Sequence, residues 1–178
     1  MNHQGTKRLE TDRLILRRFE LSDASDVYNN YASNDNVTKF LTWPSHKSVE
    51  VSKSYLEYVV STYNNLNVYQ WAIELKSNNE VVGSISVVKI DEENETFEIG
   101  YVLGESYWGL GIMPEAFEKI IKFFKDEVGV RKISARHDVN NPNSGRVMQK
   151  VGMHFVGKSK GSNNNQNDCI THIYELVL

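Results

Sequence analysis

Between Met113 and Val128 the apolar residues Met113, Ala116, Phe117, Ile120, Ile121, Phe124 and Val128 recur at the spacing that lines up one side of an α-helix. This predicts a long amphipathic helix with a buried face, opened by Pro114 as its first helical residue and closed by Gly129. Upstream, Arg13–Phe19 predicts a strand, apolar in its middle and basic at its edges. Ser22-Asp23 predicts the cap of a helix to about Tyr31, with Ala24, Val27, Tyr28 and Tyr31 on one side. Residues 34–47 carry Phe40, Leu41, Trp43 and Pro44 without a period and predict a loop. Ser48–Tyr63 predicts a second helix that buries Val51, Tyr55, Leu56 and Val59.

Three runs, Tyr69–Lys76, Val81–Ile90 and Thr96–Leu103, are separated by short polar turns and predict an antiparallel meander. After the long helix, Arg131–Val139 predicts a strand parallel to Thr96–Leu103, because a helix intervenes. Asn141-Pro142 opens a short helix to Gly152, with Val147, Met148 and Val151 inward. His154–Lys158 and Ile170–Val177 predict the last two strands, joined by a mobile Asn-, Ser- and Gly-rich loop at 159–168. The resulting order, βααβββαβαββ, is an α/β (α+β) arrangement: a mixed, mostly antiparallel seven-stranded sheet flanked by helices.

Composition narrows the function. A chain of 178 residues suits one domain spanning 1–178. No apolar run approaches a membrane span and the first ten residues lack an apolar signal core, so neither a membrane partner nor export is expected. The lone Cys169 excludes an internal disulfide and fits a reducing cytoplasm. A formal charge of −3 argues against general nucleic-acid binding, and the five histidines show no metal-ligand spacing, so no metal is expected. The oligomeric expectation is a monomer or homodimer.

The chemistry centres on the strand, turn and helix of Glu98–Gly129. Gly109-Leu110-Gly111-Ile112-Met113 places unobstructed amides at the positive pole of a helix, which binds anions and phosphates above all. A Walker loop needs Gly-Lys-Ser/Thr, which the chain lacks. A dinucleotide fingerprint needs a glycine where Pro114 stands. Both nucleotide readings therefore fall. The run Tyr107-Trp108-Gly109-Leu110-Gly111-Ile112-Met113-Pro114-Glu115-Ala116 resembles the pyrophosphate loop of the GCN5-related N-acetyltransferases, in the version of their ribosomal-protein-acetylating branch. Trp108 stands where the broader family has Gln or Arg, and Met113 where it has Gly or Ala. The element order fits that family's fold across nearly the whole chain.

The resemblance implies acetyl-CoA as cosubstrate, held by Trp108, Gly109, Leu110, Gly111, Ile112, Met113 and Glu115, and by Tyr101, Val102 and Leu103, whose strand would splay and pair with the pantetheine arm. The amide of Val102 or Leu103 would stabilise the oxyanion. Asn141 would contact the pantetheine, and Ser144 would also bind the coenzyme and serve as acid for the departing thiolate. Asn141 also reads as a helix cap before Pro142. Glu98 alternates away from Phe97, Ile99 and Tyr101, so in a central strand its carboxylate is partly desolvated. It is either the catalytic base or an ion-pair partner for Arg136 on the neighbouring strand. Phe40, Trp43 and His172 are weaker candidates for the acceptor site. The implied activity is acetyl transfer by direct attack in a ternary complex, to a protein or peptide α-amine ahead of a small amine or aminoglycoside. The alternative of another class is a non-catalytic acyl-CoA-binding module.

Overall fold

A computed structural model describes residues 1–162 and 168–178 of the chain. In order, these form strands β1 (Leu9–Glu10) and β2 (Leu14–Arg17), then helices α1 (Ala24–Val27), α2 (Asp35–Thr38) and α3 (Val49–Thr62). The meander β3 (Gln70–Leu75), β4 (Val81–Asp91) and β5 (Thr96–Leu103) follows, then α4 (Ile112–Phe123), β6 (Lys132–Asp138), α5 (Pro142–Lys150), β7 (His154–Ser162) and β8 (Asp168–Val177). The strands make one sheet in the order β1-β2-β3-β4-β5-β6-β8-β7, and β5–β6 is its parallel pair.

The described residues give eight strands, not seven, because Leu9 and Glu10 pair with Leu16 and Ile15. Two residues are too few to show an alternating pattern. The expected mobile loop is also shorter on its described sides. Ser159 to Ser162 pair with Thr171 to Asp168, since a backbone ladder forms whatever the side chains are; the rest of that expected loop lies outside the described residues. The first helix is broken into a 3₁₀ turn at Leu21–Asp23, α1, and a π-helical turn at Tyr28–Ala32. Within the expected loop, α2 forms because the Asn34 side chain accepts from the Asn36 N–H. In α3, Leu56 and Val59 are buried as expected, but Val51 is 44% exposed and Ser52 is buried in its place. The Ser52 hydroxyl bonds His46 Nδ1 at 2.7 Å, which makes its burial tolerable.

Apolar clusters cover both sides of the sheet. Phe97, Ile99 and Ile133 pack with Phe117, Ile120 and Phe124 on the α4 side, while Ala72 and Val81 pack with Val27, Leu56 and Val59 on the α1–α3 side. Arg17 ties the second layer to the sheet through ion pairs with Asp23 at 2.8 Å and Glu74 at 2.5 Å, all three largely buried. Arg17→Met leaves two carboxylates desolvated without a counter-charge. It should lower stability by about 3 kcal/mol, measured as a shift in the urea midpoint; an unchanged midpoint would show that the network contributes nothing net. Among the described residues no helix is long and apolar enough to cross a membrane.

Candidate active site

The parallel pair β5–β6 holds from Thr96–Lys132 to Ile99–Ala135, and beyond it the two strands part. This fork is the centre of the site. Phe97 and Tyr101 face α4, with ring centroids 5.0 Å from Phe124 and 5.7 Å from Phe117 respectively. Glu98, Gly100 and Val102 therefore face the other way. The Gly104 N–H donates to Val82 O at 2.9 Å, so alternation turns the backbone of Val102 toward β4 as well, where it pairs with Ser84. The groups of Tyr101 and Leu103 face the gap. Of the three expected backbone contacts, Val102 is thus spent in the ladder, which removes it as an oxyanion donor and leaves Leu103 and Tyr101.

Trp108 is folded back on this strand. Its Nε1–H donates to Leu103 O at 2.8 Å while the ring stays 44% exposed. Gly104, which follows β5, has an ordinary φ of −56°. Its lack of a side chain matters for another reason: a Cβ there would collide with the Asn30 carbonyl, which the π turn pushes against it.

After β5 the chain makes a short 3₁₀ turn at Glu105–Tyr107 and enters the glycine turn. Gly109 and Gly111 both adopt left-handed backbone, with φ of 76° and 75°. Gly111 is the N-cap, and α4 starts at Ile112, so Pro114 is the third helical residue and not the first. It is tolerated there because first-turn amides have no intrahelical acceptor. For the same reason the amides of Ile112 and Met113 are left outward while both side chains are buried at 3% exposure. Met113, bulkier than the family pattern, fits because it points into the core.

Glu115, expected at the coenzyme, has its carboxylate engaged by the β1–β2 loop. Its carboxylate accepts from Thr11 Oγ1 at 2.6 Å, from the Arg13 amide at 3.1 Å and from Arg13 Nε at 2.7 Å. Burial raises its pKa, but these bonds prevail and hold it below the usual carboxylate range. Arg13 Nη1 also donates to Leu110 O at 2.9 Å, so this arginine fastens the glycine turn to the β1–β2 loop. In the sequence, Arg13 reads only as the basic edge of a strand. No local pattern links residues 102 apart.

At the fork's other arm, Asn141 is the N-cap of α5 and Pro142 its first residue, yet the Asn141 side chain makes no capping hydrogen bond. The cap position is as expected, but its side-chain bond is not made, which leaves the amide for other use. Ser144 Oγ lies 2.9 Å from the Tyr101 hydroxyl, which is also 2.9 Å from Ser144 O. Burial drives the Tyr101 pKa far upward against the opposing effect of the Ser144 bond, so this phenol stays protonated.

On the opposite face, Glu98 Oε2 sits 2.7 Å from Arg136 Nη2, so the ion pair weighed in the sequence exists. Glu98 lines a polar cavity of about 170 Å³ with Lys89, Thr96, Lys132, Ser134 and Glu175. His172 lies on the α5 side of β8, its ring 5.4 Å from that of His137, and not on the face of Glu98. Trp43 packs on His46 at 5.5 Å. Burial and then Asp138 raise the Cys169 pKa, which keeps it a thiol and a poor nucleophile. Among the described residues, no group of three His, Cys, Asp or Glu could hold a metal ion.

Comparison with known proteins identifies the family and the fold. The family model described as "Acetyltransferase (GNAT) domain" matches residues 13–154. The uncharacterized N-acetyltransferase p20 of Bacillus licheniformis is 30% identical over 149 residues, 84% of this chain and 83% of that protein. The ribosomal-protein-serine acetyltransferase of Escherichia coli is 34% identical over 79 residues, 44% of each chain. Among solved structures, the microcin C7 self-immunity acetyltransferase MccE, in complex with acetyl-CoA and AMP, matches with a TM-score of 0.85 at 26% identity, covering 94% of both chains.

Proposed function

The chain belongs to the acetyltransferase (GNAT) family and is an acetyl-CoA-dependent N-acetyltransferase, and we propose that its acceptor is a protein or peptide α-amine, acetylated by direct attack in a ternary complex. The observation that carries this reading is the fork. It brings the Ser144 hydroxyl against Tyr101 beside the gap-facing backbone of Tyr101 and Leu103, with the Glu98 carboxylate on the opposite face of the sheet, one residue before the strands part. In this reading the amides of 109–113 hold the pyrophosphate and the Asn141 side chain the pantetheine. The Leu103 or Tyr101 amide stabilises the oxyanion, and Ser144 serves the departing sulfur. Glu98 takes the proton of the attacking amine, directly or through water.

The cavity beside Glu98 is about 170 Å³, well under the ~300 Å³ at which small-molecule pockets begin. We take the acceptor to be a chain end carried by a larger body, most of whose contacts would fall outside this cavity. The ribosomal-protein-serine acetyltransferase among the relatives supports the same choice. We further take the chain to act as one domain, in the cytoplasm. A thiol-release screen of N-terminal peptides against polyamines, aminoglycosides and free amino acids tests the acceptor. Peptides should lead, with Ser-initiated ones prominent. Faster release with a small amine would reject the peptide reading, and tight acetyl-CoA binding without release on any amine would favour a non-catalytic module.

A further inference from the structure

We propose that the Tyr101 hydroxyl is a positioning residue for the leaving sulfur, acting by orienting the Ser144 hydroxyl toward it. This rests on the placing of Ser144 at the departing sulfur above, with the serine as a hydrogen-bond donor in place of the acid that the resemblance implies, and adds a second side chain to it. Tyr101 comes from β5 and Ser144 from α5, 43 residues apart, so their meeting is a product of the fold. The Tyr101 ring is seated against Phe117, which fixes where its oxygen lies. No tyrosine occurs between Asn140 and Phe155, so α5 carries no phenol of its own.

A serine hydroxyl rotates freely unless a partner chooses its direction. The phenol oxygen is 2.9 Å from both Ser144 O and Ser144 Oγ, which allows two arrangements. In one, the phenolic hydrogen goes to the Ser144 carbonyl and the serine hydrogen points at the phenol, away from the sulfur. In the other, the phenolic hydrogen goes to Ser144 Oγ and the serine hydrogen is free to donate outward. Negative charge developing on sulfur draws the pair into the second, a chain of two hydroxyls in which each bond polarises the next.

The pair donates hydrogen bonds and transfers no proton to sulfur. Thiols ionise near ~8.5 and phenols near ~10, and burial raises Tyr101 further, so moving its proton onto a thiolate runs uphill. In the balanced step the amine nitrogen bonds the acetyl carbon and the C–S bond breaks, its electron pair going to sulfur. The ammonium proton leaves through Glu98 to solvent, and the thiolate takes a proton from solvent afterwards.

The test is a double-mutant cycle of Tyr101→Phe and Ser144→Ala, reading thiol release from acetyl-CoA with the fastest acceptor of the screen above, together with melting temperature. Each single change should lower kcat roughly 10- to 100-fold, the worth of one hydrogen bond to a charged group. KM for acetyl-CoA should stay unchanged, and the double mutant should be no slower than Ser144→Ala. Multiplying losses, or full kcat in Tyr101→Phe with only a lower melting temperature, would overturn the inference. Full kcat in Ser144→Ala would instead sink the role given to Ser144 and the inference with it.

Discussion

Gly111→Asp is expected to abolish acetyl-CoA binding, with affinity falling roughly 100-fold or more. The backbone at Gly111 has φ of 75°, a region Asp enters more readily than other side chains do. An added Cβ would meet only Arg13 Nη2, at 3.5 Å, so the variant should fold. Its carboxylate would stand at the positive pole of α4, among the amides taken to hold the pyrophosphate, and would replace attraction by repulsion. Asp at this position could also pair with Arg13 and draw it from the Leu110 carbonyl, loosening the turn. Calorimetry with acetyl-CoA measures the loss, and circular dichroism confirms the fold. Unchanged affinity in a folded protein would move the coenzyme away from this turn.

Glu98→Gln should be the most damaging change to turnover, by ~10²–10⁴-fold, the usual contribution of a positioned base. Gln keeps the size and an acceptor oxygen for Arg136, but it cannot take a proton. An α-amine titrates near ~8, so below that pH most acceptor arrives charged and the base is needed. As pH rises and free amine becomes abundant, the gap between variant and parent should close. The Arg136 pair supplies the competing outcome. If Glu98 only anchors that arginine, the loss is one of stability, about 1 kcal/mol for a pair whose arginine is 43% exposed, with the rate of the folded variant intact. Turnover against pH, measured with melting temperature, separates the two.

Much of this site could be read in the chain because its signals are local. The spacing from Met113 to Val128 was enough to find α4, and Gly109 and Gly111 marked the turn before it. The alternation in Thr96–Leu103 put Glu98 and Tyr101 on opposite faces, as found. What could not be read depends on partners distant in sequence. Whether Val102 or Leu103 offers its amide is decided by the phase of the β4–β5 ladder, which β4 sets. That Glu115 serves Thr11 and Arg13, and that Tyr101 reaches Ser144, are encounters created by packing. Local reading failed at Pro114 by two residues, because Ile112 and Met113 already find helical backbone once their side chains are buried.

The fastening of Arg13 to Glu115 and Leu110 also bears on how the protein assembles. Contacts spanning 102 residues close a long loop, whose entropic cost is met only after much of the chain is in place. The glycine turn taken to hold the coenzyme should therefore mature late in refolding, after the meander β3–β5 has paired. Acetyl-CoA added in excess would stabilise this last-formed state by mass action. Thermal protection by the coenzyme thus becomes a gauge of whether the first thirteen residues have docked, and a chain in which they have not would keep a paired sheet yet gain nothing from the ligand.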